Sequence, residues 1–154
     1  MIISGKIYLG PDIMTQISDY APAIAALALF AILTQIVGVM AGMWKTQRRL
    51  VPGSTPAPDY GDPLYRTARA SANAVETIGI FATVIVAAIL AGVDPVWVNR
   101  LAYLSVLSRL GMVIVHVAGI GRPDRSWRTL FFMGGWIAHA ALAVMVLLVI
   151  SPRM

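Results

Sequence analysis

The 154-residue sequence contains no cysteine, which excludes disulfides, thiolate metal sites and a nucleophilic protein thiol. Any sulfur chemistry must use a sulfur that the ligand brings. Charge is also scarce, at 12% of residues, where a soluble domain carries about 25%. That deficit argues against a cytosolic globular enzyme. The net charge of +5 does not point to nucleic acid, because a basic binding face gathers Lys and Arg on a soluble surface, and here they flank or enter apolar runs. The eight methionines have no metal-ligand spacing and read as packing or lipid-facing residues, so no metal is expected.

What fills the chain is hydrocarbon. Apolar residues make up 58% of it, against about 45–50% in soluble domains. Four nearly uninterrupted stretches account for the excess: residues 21–44, 70–93, 96–120 and 130–150. Each reaches the roughly 20 residues that a helix needs to cross a bilayer. The expected fold is all-α, an integral membrane four-helix bundle, with tails at 1–20 and 151–154. Lys6 stands alone well before the first stretch, and no small-residue cleavage site follows it, so that stretch reads as a retained span. Met1 and Met14 are both possible initiators.

Four spans place the connectors 45–69 and 121–129 on one side and both termini on the other. Lys45, Arg48, Arg49, Arg66, Arg69, Arg122, Arg125 and Arg128 fall on the connector side, against Lys6, Arg100 and Arg153 on the other. Short loops rich in Lys and Arg stay cytoplasmic, so the termini are expected in the periplasm or lumen. Trp44, Trp97 and Trp127 lie at span ends, as an interfacial aromatic belt requires. The stretch from Val51 to Pro63 is too rich in Pro and Gly for a helix and is either a loop across the connector-side mouth or a flexible linker. Gly38 and Gly42, four apart, would let another helix approach closely.

The informative residues are polar ones where charge is expensive. Arg66, Arg69, Asn73 and Glu76 follow i, i+3, i+7, i+10 spacing and fall within about 80° of one helix face. From the expected span boundaries, Glu76 lies roughly 9 Å and Arg109 roughly 16 Å inside the membrane. A central charge costs about 2.5–3.5 kcal/mol on insertion scales, so the two are expected to form an ion pair between spans two and three. His116 shares nearly the same face as Arg109, and the next loop delivers Arg122, Arg125, Ser126 and Arg128. One pocket gathering arginines, an amide, a carboxylate and an imidazole would suit a small zwitterion with more carboxylates than amines. His139, alone among Ala, Val and Leu, reads as a structural residue hydrogen-bonded between helices.

The run Arg66-Thr-Ala-Arg69-Ala-Ser-Ala-Asn73-Ala-Val-Glu76 closely resembles the R-x-x-R-A-x-x-N-x-x-E signature that opens the second helix of MAPEG proteins, the membrane-associated proteins of eicosanoid and glutathione metabolism. The spacing of Arg109, His116 and Arg125-Ser126 is also similar, closest to the microsomal glutathione transferase and prostaglandin E synthase branch. Family members often have Tyr in place of His116, and the prostaglandin synthases have His in place of Met112. The resemblance implies a homotrimer of four-helix bundles, with glutathione as co-substrate between subunits near the cytoplasmic face. It assigns glutathione binding to Arg69, Asn73 and Glu76, with Arg66 and His116 nearby and Arg109 supporting the pocket. It assigns thiolate stabilisation to Arg125, with Ser126 donating a hydrogen bond, since a neighbouring cation favours the ionised, nucleophilic sulfur.

The expected activity is a glutathione transferase or peroxidase acting on lipophilic electrophiles or hydroperoxides that arrive from the bilayer. Two alternatives use the same residues differently: a lipid-binding protein that presents its ligand to a partner, and a small proton-coupled transporter using Glu76. Arginines around Glu76 would hold it ionised, which disfavours proton coupling.

Overall fold

The computed structural model describes residues 2–3, 6–7, 15, 17–51, 53–121 and 127–153. Within them, β1 (Ile2–Ile3) pairs antiparallel with β2 (Lys6–Ile7), followed by four long helices: α1 (Ala21–Gln47), α2 (Pro63–Ala91), α3 (Pro95–Ala118) and α4 (Trp127–Ile150). A short 3-10 turn, Ser151–Arg153, follows α4. Each of the four helices is long and apolar enough to cross a membrane, and the chain is a multi-pass membrane protein.

Aspartate, proline and glycine set the helix ends. Asp62 accepts the N–H of Leu64 at 3.0 Å and Asp94 that of Val96 at 2.8 Å, and each stands directly before a proline. The carboxylates satisfy amides that lack an intrahelical partner, and proline at the first helical position has no amide to lose. Gly92 and Gly119 end α2 and α3 in the left-handed conformation, at φ 72° and 69°. The cap at Asp62 starts α2 at Pro63, ahead of the expected span boundary at 70, and α4 starts at Trp127, ahead of that at 130. Hydropathy marks where the apolar surface begins, whereas capping marks where the helix begins.

At the end of the bundle near the α2–α3 turn, side chains tie three helices together. The Tyr20 hydroxyl donates to the Val93 carbonyl at 2.5 Å, while Asn99 donates to the Asp19 carbonyl at 2.9 Å and accepts from the Ala23 amide at 3.0 Å. The larger apolar core lies there, built from Tyr20, Ala23, Phe30, Phe81, Ile85, Val98 and Leu142. At the connector end a smaller cluster, Val37, Ala70 and Val113, fills the bundle. Arg48 and Asp62 form an ion pair at 3.3 Å there, joining the end of α1 to the start of α2.

Close helix approach occurs between α3 and α4. A Cβ on Gly111 would lie 2.6–2.8 Å from the Phe131 ring, and one on Gly134 2.8 Å from the Ser108 hydroxyl. The Gly38 and Gly42 pair makes no such approach among the described residues: a Cβ on Gly38 would meet Ser71 at an ordinary 3.8 Å, and one on Gly42 would meet nothing within 4 Å. Between the two apolar clusters the interior is polar, with Thr34, Ser105, Ser108, Arg109 and His139 all buried. Thr34 and Ser105 bond back to their own helices, to the carbonyls of Phe30 and Leu101. Arg109 and His139 face a cavity.

Candidate functional site

The expected polar face of α2 is divided among different surroundings. Arg66 donates through Nη1 to the carbonyls of Tyr60, at 2.7 Å, and Gly61, at 3.0 Å, and through Nε to that of Val117 at 3.4 Å. It fastens the end of the first connector to the end of α3. Gly119 makes room for it, since a Cβ there would lie 2.9 Å from the guanidinium carbon. Arg66 is thus engaged by backbone, and the connector at 60–61 is pinned in place instead of hanging as a free linker. Arg69 is exposed and unpaired among the described residues, beside Lys45, Thr55, Pro56 and Tyr65.

Asn73 is half-buried and accepts a hydrogen bond from Arg109 Nη1. The expected Arg109–Glu76 ion pair does not form: among the described residues the one ion pair is Arg48–Asp62, and Glu76 is exposed. Helix ends give the physical reason. Asn73 lies ten residues into α2 and Arg109 nine residues from the end of α3, which places both about 14–15 Å from the connector-side ends. Glu76, a turn deeper at about 20 Å, is off that level.

Three cavities line up along α2, α3 and α4. At the connector side, one of about 260 Å³ is lined by Tyr60, Arg66, His116, Gly119 and Arg128. Next to it, about 220 Å³ lies among Tyr60, Asn73, Met112, His116, Arg128 and Phe132. Deepest is a cavity of about 490 Å³ reached past Asn73 and Phe132, with Glu76, Arg109, Trp136 and His139 among its walls. Tyr60 organises the outer pair. Arg128 sits 4.7 Å over its ring, and His116 stacks on it at 6.0 Å with 24° between planes. The Nε2 atom of His116 is buried and has no partner among the described residues.

Arg109 and His139, 3% and 5% exposed, form the polar end of the deep cavity. His139 is not hydrogen-bonded between helices through Nε2 as expected; it stacks on Phe81 at 5.3 Å. The structure therefore brings Asn73 with His116 in one cavity, and Asn73 with Glu76 and Arg109 in another, while Arg69 faces elsewhere. A single pocket holding all the sequence-picked residues is not present among the described residues of the chain. Arg125 and Ser126 lie outside the described residues.

Tyr60, Phe132, Trp136 and His139 are site residues that sequence reasoning misses. The last three carry a readable signal: residues 132, 136, 139, 140 and 143 repeat at i, i+4, i+7, i+8, i+11, which is one face of a helix. Tyr60 carries none, because its place depends on how the connector folds back.

The MAPEG family model matches residues 23–148, which is most of the chain, and the protein belongs to the MAPEG family. No curated protein matches it significantly.

Proposed function

Taking the chain as a MAPEG protein, we propose that it is a glutathione-dependent membrane enzyme, a transferase or peroxidase for lipophilic electrophiles or hydroperoxides. The observation that carries this reading is the pair Arg69 and Glu76. They are opposite charges two turns apart on α2, both exposed and both unpaired among the described residues, with the Asn73 amide between them in sequence. In a helix bound for a membrane, charges left open in this way call for a ligand or a neighbouring subunit. A tripeptide with two carboxylates and one ammonium group complements an arginine, an amide and a carboxylate. The outward direction of Arg69 and Glu76 supports a homotrimer in which an adjacent copy closes the site, with the connectors in the cytoplasm where the thiol is supplied.

In this reading Arg125 holds the thiolate ionised and Ser126 donates a hydrogen bond to it. With an electrophile, sulfur forms the bond to carbon and the leaving group departs with its electron pair. With a hydroperoxide, the thiolate attacks the outer oxygen and the O–O bond breaks. The alkoxide takes a proton, and a second thiol attacks the sulfenic sulfur, forming the disulfide as the S–O bond breaks and water leaves. The apolar cavity beyond Phe132 supports a route for a lipophilic partner from the bilayer. It also keeps lipid binding without catalysis in view.

The test is a titration of glutathione into the purified full chain in detergent, following thiolate ultraviolet absorbance, with Arg125→Ala alongside. Saturable thiolate formation in the wild type, lost in the variant, is expected. Absence of binding at millimolar glutathione would leave lipid binding without thiol chemistry as the function.

A further inference from the structure

The connector end of α1 closes against the usual preference of the backbone. Arg49 takes the left-handed conformation, at φ 55°, and among the described residues it is the one residue other than glycine to do so. Its amide donates to the Thr46 carbonyl at 3.0 Å, and that of Leu50 to the Lys45 carbonyl at 3.0 Å. Helices that end in this paired closure favour glycine at the left-handed position, because a Cβ there crowds a backbone carbonyl. Gly92 and Gly119 fill that position after α2 and α3. After α1 the chain places an arginine there, exposed and without an ion pair among the described residues. The backbone gains nothing from that choice, so the use of Arg49 lies in its charge.

A formed cavity stands beside it. Trp44, Gln47 and Arg48 line about 260 Å³ together with Pro63 and Leu64. A water molecule takes about 30 Å³, so the space suits a larger polar group. Arg48 is 60% exposed at its side chain and gives only Nη2 to Asp62, at 3.3 Å. A guanidinium has five N–H donors, and those left over can hold a second anion without breaking the pair.

An apolar track leads to the same place. Ile32, Ile36, Met43 and Gln47 fall within about 60° of one face of α1. The first three are 52–58% exposed, and Gln47 is a wall of the cavity. From Ile32 to Met43 the helix rises about 17 Å, close to one leaflet of a hydrocarbon core about 30 Å thick. The track therefore ends at a cavity flanked by two arginines and an interfacial tryptophan. A topology signal accounts for cations near a span end, but it asks neither for a cavity nor for an arginine in a glycine's conformation.

We propose that the connector end of α1 binds an anionic phospholipid, with the headgroup phosphate held by Arg48 and Arg49 beside Trp44 and Gln47 and one acyl chain along Met43, Ile36 and Ile32. Charge complementarity selects the anionic headgroup: the arginines attract it, whereas a zwitterionic one carries its own cation. The site uses none of the residues given to glutathione and does not depend on that reading.

The experiment follows tryptophan fluorescence of the full chain in phosphatidylcholine vesicles. Increasing fractions of phosphatidylglycerol or phosphatidylcholine, brominated on one acyl chain near the glycerol, serve as quenchers. Phosphatidylglycerol is expected to quench at a mole fraction about fivefold lower, which corresponds to about 1 kcal/mol for one cation beside an anionic headgroup. This excess should vanish in Trp44→Phe, which keeps Trp97, Trp127 and Trp136 as reporters. Arg49→Gly should remove most of the preference while stability in SDS is unchanged or raised, since glycine adopts the left-handed turn freely. Arg49→Lys should retain it. Equal quenching by the two lipids, an excess that persists in Trp44→Phe, or a preference undiminished in Arg49→Gly would overturn the proposal. Displacement of phosphatidylglycerol by millimolar inorganic phosphate would also overturn it, assigning the cavity to a soluble anion instead of a lipid.

Discussion

Replacing Asn73 with leucine removes the acceptor of a guanidinium that is 3% exposed and has no anionic partner among the described residues. A hydrogen bond to a charged group is worth about 1.5–3 kcal/mol, and Asn73→Leu should destabilise the bundle by that amount. Arg109→Met removes the same bond from the other side. In the double variant the bond is lost once, so the two single effects should overshoot the combined effect by about 1.5–3 kcal/mol. Glu76→Gln combined with Arg109→Met gives the contrast: with no ion pair between them, the effects should add within about 0.3–0.5 kcal/mol. Unfolding by increasing SDS mole fraction in mixed micelles, followed by far-ultraviolet circular dichroism, measures all three single variants and both doubles. Additivity for Asn73 with Arg109, or stronger coupling of Arg109 to Glu76, would refute the hydrogen-bonding pattern derived above.

Two further outcomes concern the packing that holds the site. Gly111→Ala should destabilise by about 1–3 kcal/mol in thermal unfolding through overpacking, because its Cβ would meet the Phe131 ring at 2.6–2.8 Å; Phe131→Leu in the same chain should recover part of the loss. The Tyr20 phenol is raised above its ordinary value of 10.0, first by burial and then by Asp94 and Asp19. The stability it contributes is therefore fully present below the unfolded value and lost as pH rises through the folded one. Tyr20→Phe should flatten the alkaline loss in melting curves taken from about pH 8 to about pH 11.

The number of spans is legible in the sequence because a run of about 20 apolar residues suits a membrane helix and little else. The residues that set helix ends, Asp62-Pro63 and Asp94-Pro95, are also in plain view, but the first pair lies inside a stretch whose proline and glycine content reads as loop. Depths counted from the apolar boundary at 70 differ from those counted from the helix start at Pro63. Charge alone pairs Glu76 with Arg109, whereas the true level belongs to Asn73. Helical spacing fixes which face a residue occupies but not how its side chain bends. Arg66 and Arg69, three residues apart, therefore serve a backbone clasp and an open surface. His139 looks isolated within its own helix, although its neighbours in space, Phe81 and Arg109, come from two other helices.

The turn between α2 and α3 has mechanical consequences. Only Gly92, Val93 and Asp94 separate the two helices, and Tyr20 and Asn99 rivet the start of α1 to the same corner. Three of the four helices are thus tied to one another at that end. The deep cavity opens between these helices and α4, which rests on them through the Gly111–Phe131 and Gly134–Ser108 contacts. Any admission of a ligand from the side then falls to α4 shifting on these two glycine contacts, a movement that carries Phe132, at the mouth of the cavity, with it.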